Sequence, residues 1–135
     1  MSDLIEIAAD LLNAKYRPPV HSVSAALETK KGDIITAVNI DHFSGFVCAE
    51  TAALAIAINA GNYEFKRIVA VRRNKNGENT IANMCGKCRQ IFYDYAPGID
   101  VITRAGTRHI DEILPDAFDR QREKIKDSLG VNNEN

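Results

Sequence analysis

The sequence predicts an α/β fold in which a mixed sheet is covered by helices. Three observations lead there. Helical and strand periodicities follow one another in the order α-β-β-α-β-α-β-α, the pattern of a layered α/β domain. Lys30-Lys31-Gly32-Asp33 separates the first two strands as a tight turn, so they form an antiparallel hairpin, whereas the later strands alternate with helices. The chain has 135 residues, 45% apolar and 26% charged, which is ordinary globular composition and enough for one core without staples.

The elements follow in order. Residues 3–14 form an amphipathic helix, with Leu4, Ile7, Ala8, Leu11 and Leu12 at helical spacing and Ser2 as cap. Pro18-Pro19 closes the connection. Residues 21–28 alternate, with Val23, Ala25 and Leu27 on one face, and read as a strand; residues 34–38 are its partner. Residues 39–47 are a loop. Residues 48–60 are helical by composition, and Gly61 is placed to end them. A short buried strand spans 66–72 and a polar loop 74–79. Residues 85–95 form a helix stopped by Pro97-Gly98, and 99–103 another strand. Residues 111–129 are helical with a break at Pro115, where Phe118, Ile125 and Leu129 share a face. The expectation is one domain over 1–130 and a frayed tail over 131–135.

Charge and hydropathy exclude several classes of function. Seventeen basic and 18 acidic side chains give a net charge of −1, which argues against a surface built to wrap nucleic acid or an anionic membrane. The longest apolar run, Thr51 to Asn59, is far short of a membrane span. The acidic start Met1-Ser2-Asp3-Leu4-Ile5-Glu6 lacks the basic opening of a secretory signal, so a cytoplasmic location is expected. The cluster Lys66, Arg67, Arg72, Arg73 and Lys75 could hold a phosphate, although five cations beside a loop more often make a solvated surface.

The three cysteines carry the chemistry. Cys85 and Cys88 form a Cys-x-x-Cys pair and Cys48 stands apart. An odd set in such a chain points to metal or redox chemistry rather than to a disulfide framework. Cys48-Ala49-Glu50 opens one helix and Cys85-Gly86-Lys87-Cys88 opens another. Thiolates bind zinc as anions, and a helix N-terminus favours an anion. Three protein ligands leave a tetrahedral zinc one open position, the pattern of a catalytic site in which water becomes more acidic. Glu50 lies two residues after Cys48 and so points in a different direction on the helix. It is badly placed as a fourth ligand and well placed to exchange protons with the reacting water. A structural zinc would need a fourth protein ligand, for which His21, His42 and His109 are the candidates; His42 lies six residues before Cys48, outside the usual spacing of about two to five. On the residues alone, the open and the structural site both stand.

The two motifs together, Cys48-Ala49-Glu50-Thr51-Ala52 and Met84-Cys85-Gly86-Lys87-Cys88-Arg89-Gln90, resemble the three-cysteine signature of the zinc-dependent cytidine deaminase family. The resemblance runs from about Val23 to Phe118. Ser24-Ala25-Ala26-Leu27 is similar to the family's first strand, Val38-Asn39-Ile40-Asp41 to its Asn-x-Glu nucleoside turn, and Leu114-Pro115-Asp116-Ala117-Phe118 to its C-terminal Leu-Pro-x-x-Phe. Val38-Asn39-Ile40-Asp41-His42-Phe43 and Pro97-Gly98-Ile99 are most similar to the blasticidin-S deaminase branch.

This resemblance implies a three-layer α/β/α sandwich on a mixed five-stranded sheet. It implies hydrolytic removal of the exocyclic amine of a cytosine-bearing nucleoside or nucleoside-like small molecule, with blasticidin S or another cytosine antibiotic as the alternative substrate. Zinc would be held by Cys48, Cys85 and Cys88, and Glu50 would carry protons to N3 and to the departing ammonia. Asn39 and Asp41 would hold sugar hydroxyls, with Ala49 and His21 completing the substrate contacts. Arg89 would relieve the surplus negative charge of three thiolates on one divalent ion. The implied assembly is a homotetramer whose sites borrow residues from neighbouring subunits. Polynucleotide editing is disfavoured by the near-neutral charge, and a non-enzymatic structural zinc module is the remaining alternative. The chain departs from the family pattern at Met84, where Pro is usual, at Asp41, one methylene shorter than Glu, and at His21, which stands near where an aromatic packs on the base.

Overall fold

The computed structural model describes residues 3–130. The helix α1 (Leu4–Lys15) buries Leu4, Ala8 and Leu12, one residue per turn. Asp3 caps it, its carboxylate accepting from the Ile5 amide at 3.0 Å; Ser2, the cap expected from sequence, and the tail over 131–135 lie outside the described residues.

The strands β1 (Val23–Thr29) and β2 (Ile34–Val38) form the expected antiparallel hairpin, with Ala25 opposite Ala37 and Leu27 opposite Ile35. The helix α2 (Ala49–Asn59) follows the loop. Next, β3 (Phe65–Arg73) runs antiparallel to β1 and places Val23 opposite Arg72 and Ala25 opposite Ala70. A hairpin returns as β4 (Asn79–Ile81), and then come α3 (Gly86–Tyr95), β5 (Asp100–Thr103) and β6 (Gly106–His109). The strand β5 pairs parallel with the first half of β3, at Arg67 and Ile68, while β4 pairs antiparallel with its last half. The sheet is therefore mixed, as expected, in the order β2-β1-β3-β5-β6 with β4 beside β3.

Among the described residues, six strands stand where five were expected. Both short strands escape a reading by hydrophobic periodicity. Residues 74–79 read as a polar loop, but Asn74 folds them into a turn, its side-chain oxygen accepting from Asn76 and Glu78 at 2.9 and 3.0 Å. The strand β6 carries Thr107, Arg108 and His109, with no apolar alternation to detect, and is paired because Gly106 takes a positive φ of 103° at the turn. The single long helix expected over 111–129 is also corrected. It is a 3₁₀ turn, Ile110–Ile113, and a separate helix α4 (Arg120–Leu129), with Leu114–Asp119 irregular between them. Pro115 cannot continue the hydrogen-bond ladder and Asp116 sits at φ 52°.

Sheet alternation separates two cores. On one face Ala26, Val69 and Val71 meet Leu4, Ala8 and Leu12 of α1. On the other Ala25, Leu27, Ile68 and Ala70 meet Ala53, Leu54 and Ala57 of α2 and Cys88 and Phe92 of α3. The α/β/α layering follows from this period of two. The small residues Ala25, Ala49, Ala53, Ala57 and Ala70, all almost wholly buried, let α2 lie close on the sheet. That closeness brings the N-terminus of α2 to the N-terminus of α3.

Candidate active site

Cys48 and Cys85 are the N-caps of α2 and α3, so both helix starts predicted from the motifs lie within a residue of their observed positions. Cys88 is one turn into α3 and fully buried. The three sulfurs lie within 4.8 Å of one another, and Cys48 Sγ is 3.6 Å from Cys85 Sγ. A disulfide needs about 2.05 Å. A tetrahedron with Zn–S bonds of about 2.3 Å has edges of about 3.8 Å, so the Cys48–Cys85 spacing is that of two ligands on one metal ion and not of a bridge, and the three sulfurs together could hold a metal.

Two backbone features prepare the cluster. The α2 cap makes no side-chain bond to its own first turn, so Cys48 Sγ is not spent on capping. Cys85 Sγ accepts from the Cys88 amide at 3.4 Å. Thr51 Oγ1 lies 3.3 Å from Cys88 Sγ. It is a contact the sequence did not single out, although Thr51 is three residues after Cys48 and so shares its helix face. Without metal the thiols differ. Burial pushes Cys48 up to about 11, with the neighbouring Cys85 adding to the rise. Burial also raises Cys88, the Thr51 bond opposing. At Cys85 burial is outweighed by the Cys88 amide and the bonds from Cys48 and Cys88, and its thiol falls below the ordinary value.

Glu50 is the buried acid of the site, 5% exposed. Burial raises its carboxyl above the usual range. It lines a cavity of about 280 Å³ together with Cys48, Cys85, Ala49, Asn39 and Asp41. Thus the structure brings together two of the three cysteines, Glu50 and three of the four expected substrate residues on one cavity wall. Cys88 stands behind the wall. His21 does not line it; its Nδ1 lies 2.8 Å from the Asn39 backbone carbonyl oxygen.

Asn39 is tightly held. Its Oδ1 accepts from the Ser22 and Val23 amides at 2.8 and 3.0 Å, which leaves Nδ2 as the atom able to donate into the cavity. Beyond it, Ile40 and Val47 exchange backbone hydrogen bonds of 2.9 Å in both directions and clip the loop shut. That clip sets Asp41 and Phe46, one step past it on either arm, on the cavity wall. Phe46 is 52% exposed with the Lys87 ammonium 5.2 Å from its ring centre. Phe46, Arg72 and Asn83 are wall residues that no motif marks.

Arg89 does not spend its guanidinium on a sulfur. Nε donates to the Met84 carbonyl at 2.7 Å and Nη1 to the Ile113 carbonyl at 3.0 Å. Met84, which stands where the family has Pro, is buried in the core. Arg89 thus ties down the backbone immediately before Cys85, a segment that a proline would otherwise stiffen.

Comparison with known proteins agrees with this geometry. No family model matches the chain. The chain is 34% identical over 128 residues to blasticidin-S deaminase from Bacillus cereus, covering 87% of this chain and 91% of that protein. The cytidine deaminase of Burkholderia pseudomallei superposes with a TM-score of 0.70 at 29% identity, covering 85% of this chain and 96% of that one. The cytidine deaminase of Mycobacterium leprae does so with a TM-score of 0.71 at 25% identity, over 83% and 94%. The chain belongs to the cytidine deaminase family. It is an enzyme of the deaminase kind.

Proposed function

We propose that the protein is a zinc-dependent hydrolase that deaminates a cytosine-bearing nucleoside or nucleoside-like small molecule. The observation that carries this reading is the meeting of three sulfurs within 4.8 Å at two helix starts, beside a buried carboxyl on the wall of a cavity of about 280 Å³. Zinc, when held by Cys48, Cys85 and Cys88, supplies a water acidic enough to act as a nucleophile near neutral pH. Everything else belongs to side chains of this chain. Glu50 takes a proton from the water that attacks C4 of the ring and gives it to N3. It then takes the second water proton and hands it to the exocyclic amine. The C4–N4 bond breaks, ammonia leaves, and C4 keeps the water oxygen as a carbonyl. A carboxyl raised by burial suits both transfers, because it gives up a proton about as readily as it takes one. Asn39 Nδ2 and Asp41 bind sugar hydroxyls, and Ala49, having no side chain beyond Cβ, leaves room for the base.

The B. cereus relative favours a second substrate, blasticidin S, for the same chemistry. Ammonia release from cytidine, deoxycytidine, blasticidin S and free cytosine by the zinc-loaded protein decides between them. No release from any of the four overturns the deaminase reading.

The assembly belongs to the proposal too. Phe43 is 98% exposed, and Ile56 emerges from a helix whose other positions are mostly apolar. Such surface supports a homotetramer, checked by light scattering. No helix among the described residues is long and apolar enough to cross a membrane, and three thiols kept as metal ligands suit a reducing cytoplasm.

A further inference from the structure

The five cations clustered in sequence disperse in space. Arg67 pairs with Glu28. Arg73 lies 4.0 Å over the Tyr16 ring and reaches Asn13 on the α1 side of the sheet. Lys66 and Lys75 are exposed. Arg72 alone among them lines the cavity beside Glu50, Asn39 and Asp41. Strand parity puts it there. It shares the sheet face of Ile68 and Ala70, and its register partner is Val23, another wall residue.

The Arg72 guanidinium makes no ion pair or hydrogen bond with any described residue, although Asp41 stands on the same wall. Its position along the cavity is also defined. Ala70, two residues earlier on the strand and so about 7 Å away, touches the wall against which Glu50 rests. Across Val23, on the other side of Arg72, is Asn39, bound to the Val23 amide. Arg72 therefore stands at the sugar end of the cavity, away from the proton-carrying acid. Asn39 beside it has its oxygen committed to backbone amides, and Asn83 toward the sulfurs has its oxygen committed to the Arg104 amide at 3.0 Å. Both amides are left presenting NH₂ groups. The polar wall is thus richer in donors than a neutral sugar requires, and its one full positive charge lacks a counter-charge.

We propose that Arg72 is a specificity-determining residue that reads an anionic substituent on the sugar of the substrate, a carboxylate or a phosphate ester. This rests on the reading of the cavity as a cytosine nucleoside site. Asp41 keeps the hydroxyls and Arg72 takes the anion, so the two opposite charges of the wall sort the two ends of the sugar.

The test compares cytidine, cytidine 5′-monophosphate and cytidine 5′-carboxylic acid as substrates of the zinc-loaded enzyme and of Arg72→Gln and Arg72→Lys. One anion is expected to exceed cytidine in kcat/KM by about tenfold or more, and which one it is separates phosphate from carboxylate. Arg72→Gln should remove that advantage, bringing the ratio of anion to cytidine kcat/KM down about tenfold to near one, while Arg72→Lys, which keeps the charge but not the fork, should fall between. Cytidine preferred over both anions, or equal losses on all three, overturns the inference and leaves the deaminase reading intact. Calorimetric binding of uridine, uridine 5′-monophosphate and uridine 5′-carboxylic acid gives a second readout that needs no turnover. If no cytosine compound is deaminated, the proposed function falls. The inference then stands if uridine 5′-monophosphate or uridine 5′-carboxylic acid binds at least about tenfold tighter than uridine in an Arg72-dependent way, and falls if neither does.

Discussion

The two ends of the cavity are built differently. At the sulfur end every chemical group sits on the first turn of a helix. Cys48, Glu50 and Thr51 belong to the start of α2, and Cys85 and Cys88 to the start of α3. Both helices are locked onto the sheet by buried alanines, by Cys88 and by Phe92. At the sugar end the groups come from a clipped loop and from a strand, and they are exposed: Asp41 and Phe46 from the loop, Arg72 from β3. On the proposed function, the difference separates the reaction from its specificity. Helix starts fixed by packing hold reacting groups within the small tolerance that proton and metal chemistry requires. Exposed loop and strand-end side chains can change without disturbing the core.

That contrast can be broken most severely at the sulfur end. On the proposed function the parent protein should bind about one zinc per chain, and Cys85→Ser should abolish it and with it all turnover; elemental analysis after zinc reconstitution and ammonia release check this. Loss of turnover with zinc retained would move the metal elsewhere. Glu50→Gln keeps shape and removes the proton carrier. Turnover should fall by at least about a hundredfold with zinc content unchanged. A variant that loses metal yet turns over normally once remetallated would remove Glu50 from its role.

At the sugar end the expected effects are smaller and depend on the substrate. Asp41→Ala should lower nucleoside kcat/KM by tens-fold, as when a group paired to substrate hydroxyls is lost. It should barely change the weak activity on free cytosine, since the base alone does not reach residue 41. If blasticidin S outperforms cytidine and the variant leaves both unchanged, the nucleoside clamp is wrong and the antibiotic reading replaces it. The smallest effect is on stability. Arg89→Gln leaves the Met84 and Ile113 carbonyls without their donor, at a cost of about 1 to 3 kcal/mol. Thermal unfolding should register it, and Arg89→Lys should not rescue it, because one ammonium cannot span both carbonyls with the planar fork.

Local rules carried most of the reading. Alternation over 21–28, the short apolar run within 66–72, the turn at Gly32, and the two cysteine-led helix starts are properties of adjacent residues. A chain with those periods builds a mixed sheet under helices wherever it folds. The likeness of Cys48-Ala49-Glu50 and Cys85-Gly86-Lys87-Cys88 to a known pair of motifs then named the chemistry, because metal ligands are restricted to few residue types and spacings. Tertiary structure decided what adjacency cannot. The strands β4 and β6 exist because neighbours offered them hydrogen bonds, not because their own residues alternate. Thr51 meets Cys88 from 37 positions away. Arg89 holds the carbonyls of Met84 and Ile113. Of five neighbouring cations, only Arg72 faces the cavity. Strand parity could have sorted Arg72 from Arg73, since successive side chains point to opposite faces. Which face carries the cavity depended on where α1 and α2 packed, and that is settled by contacts between residues far apart in the chain.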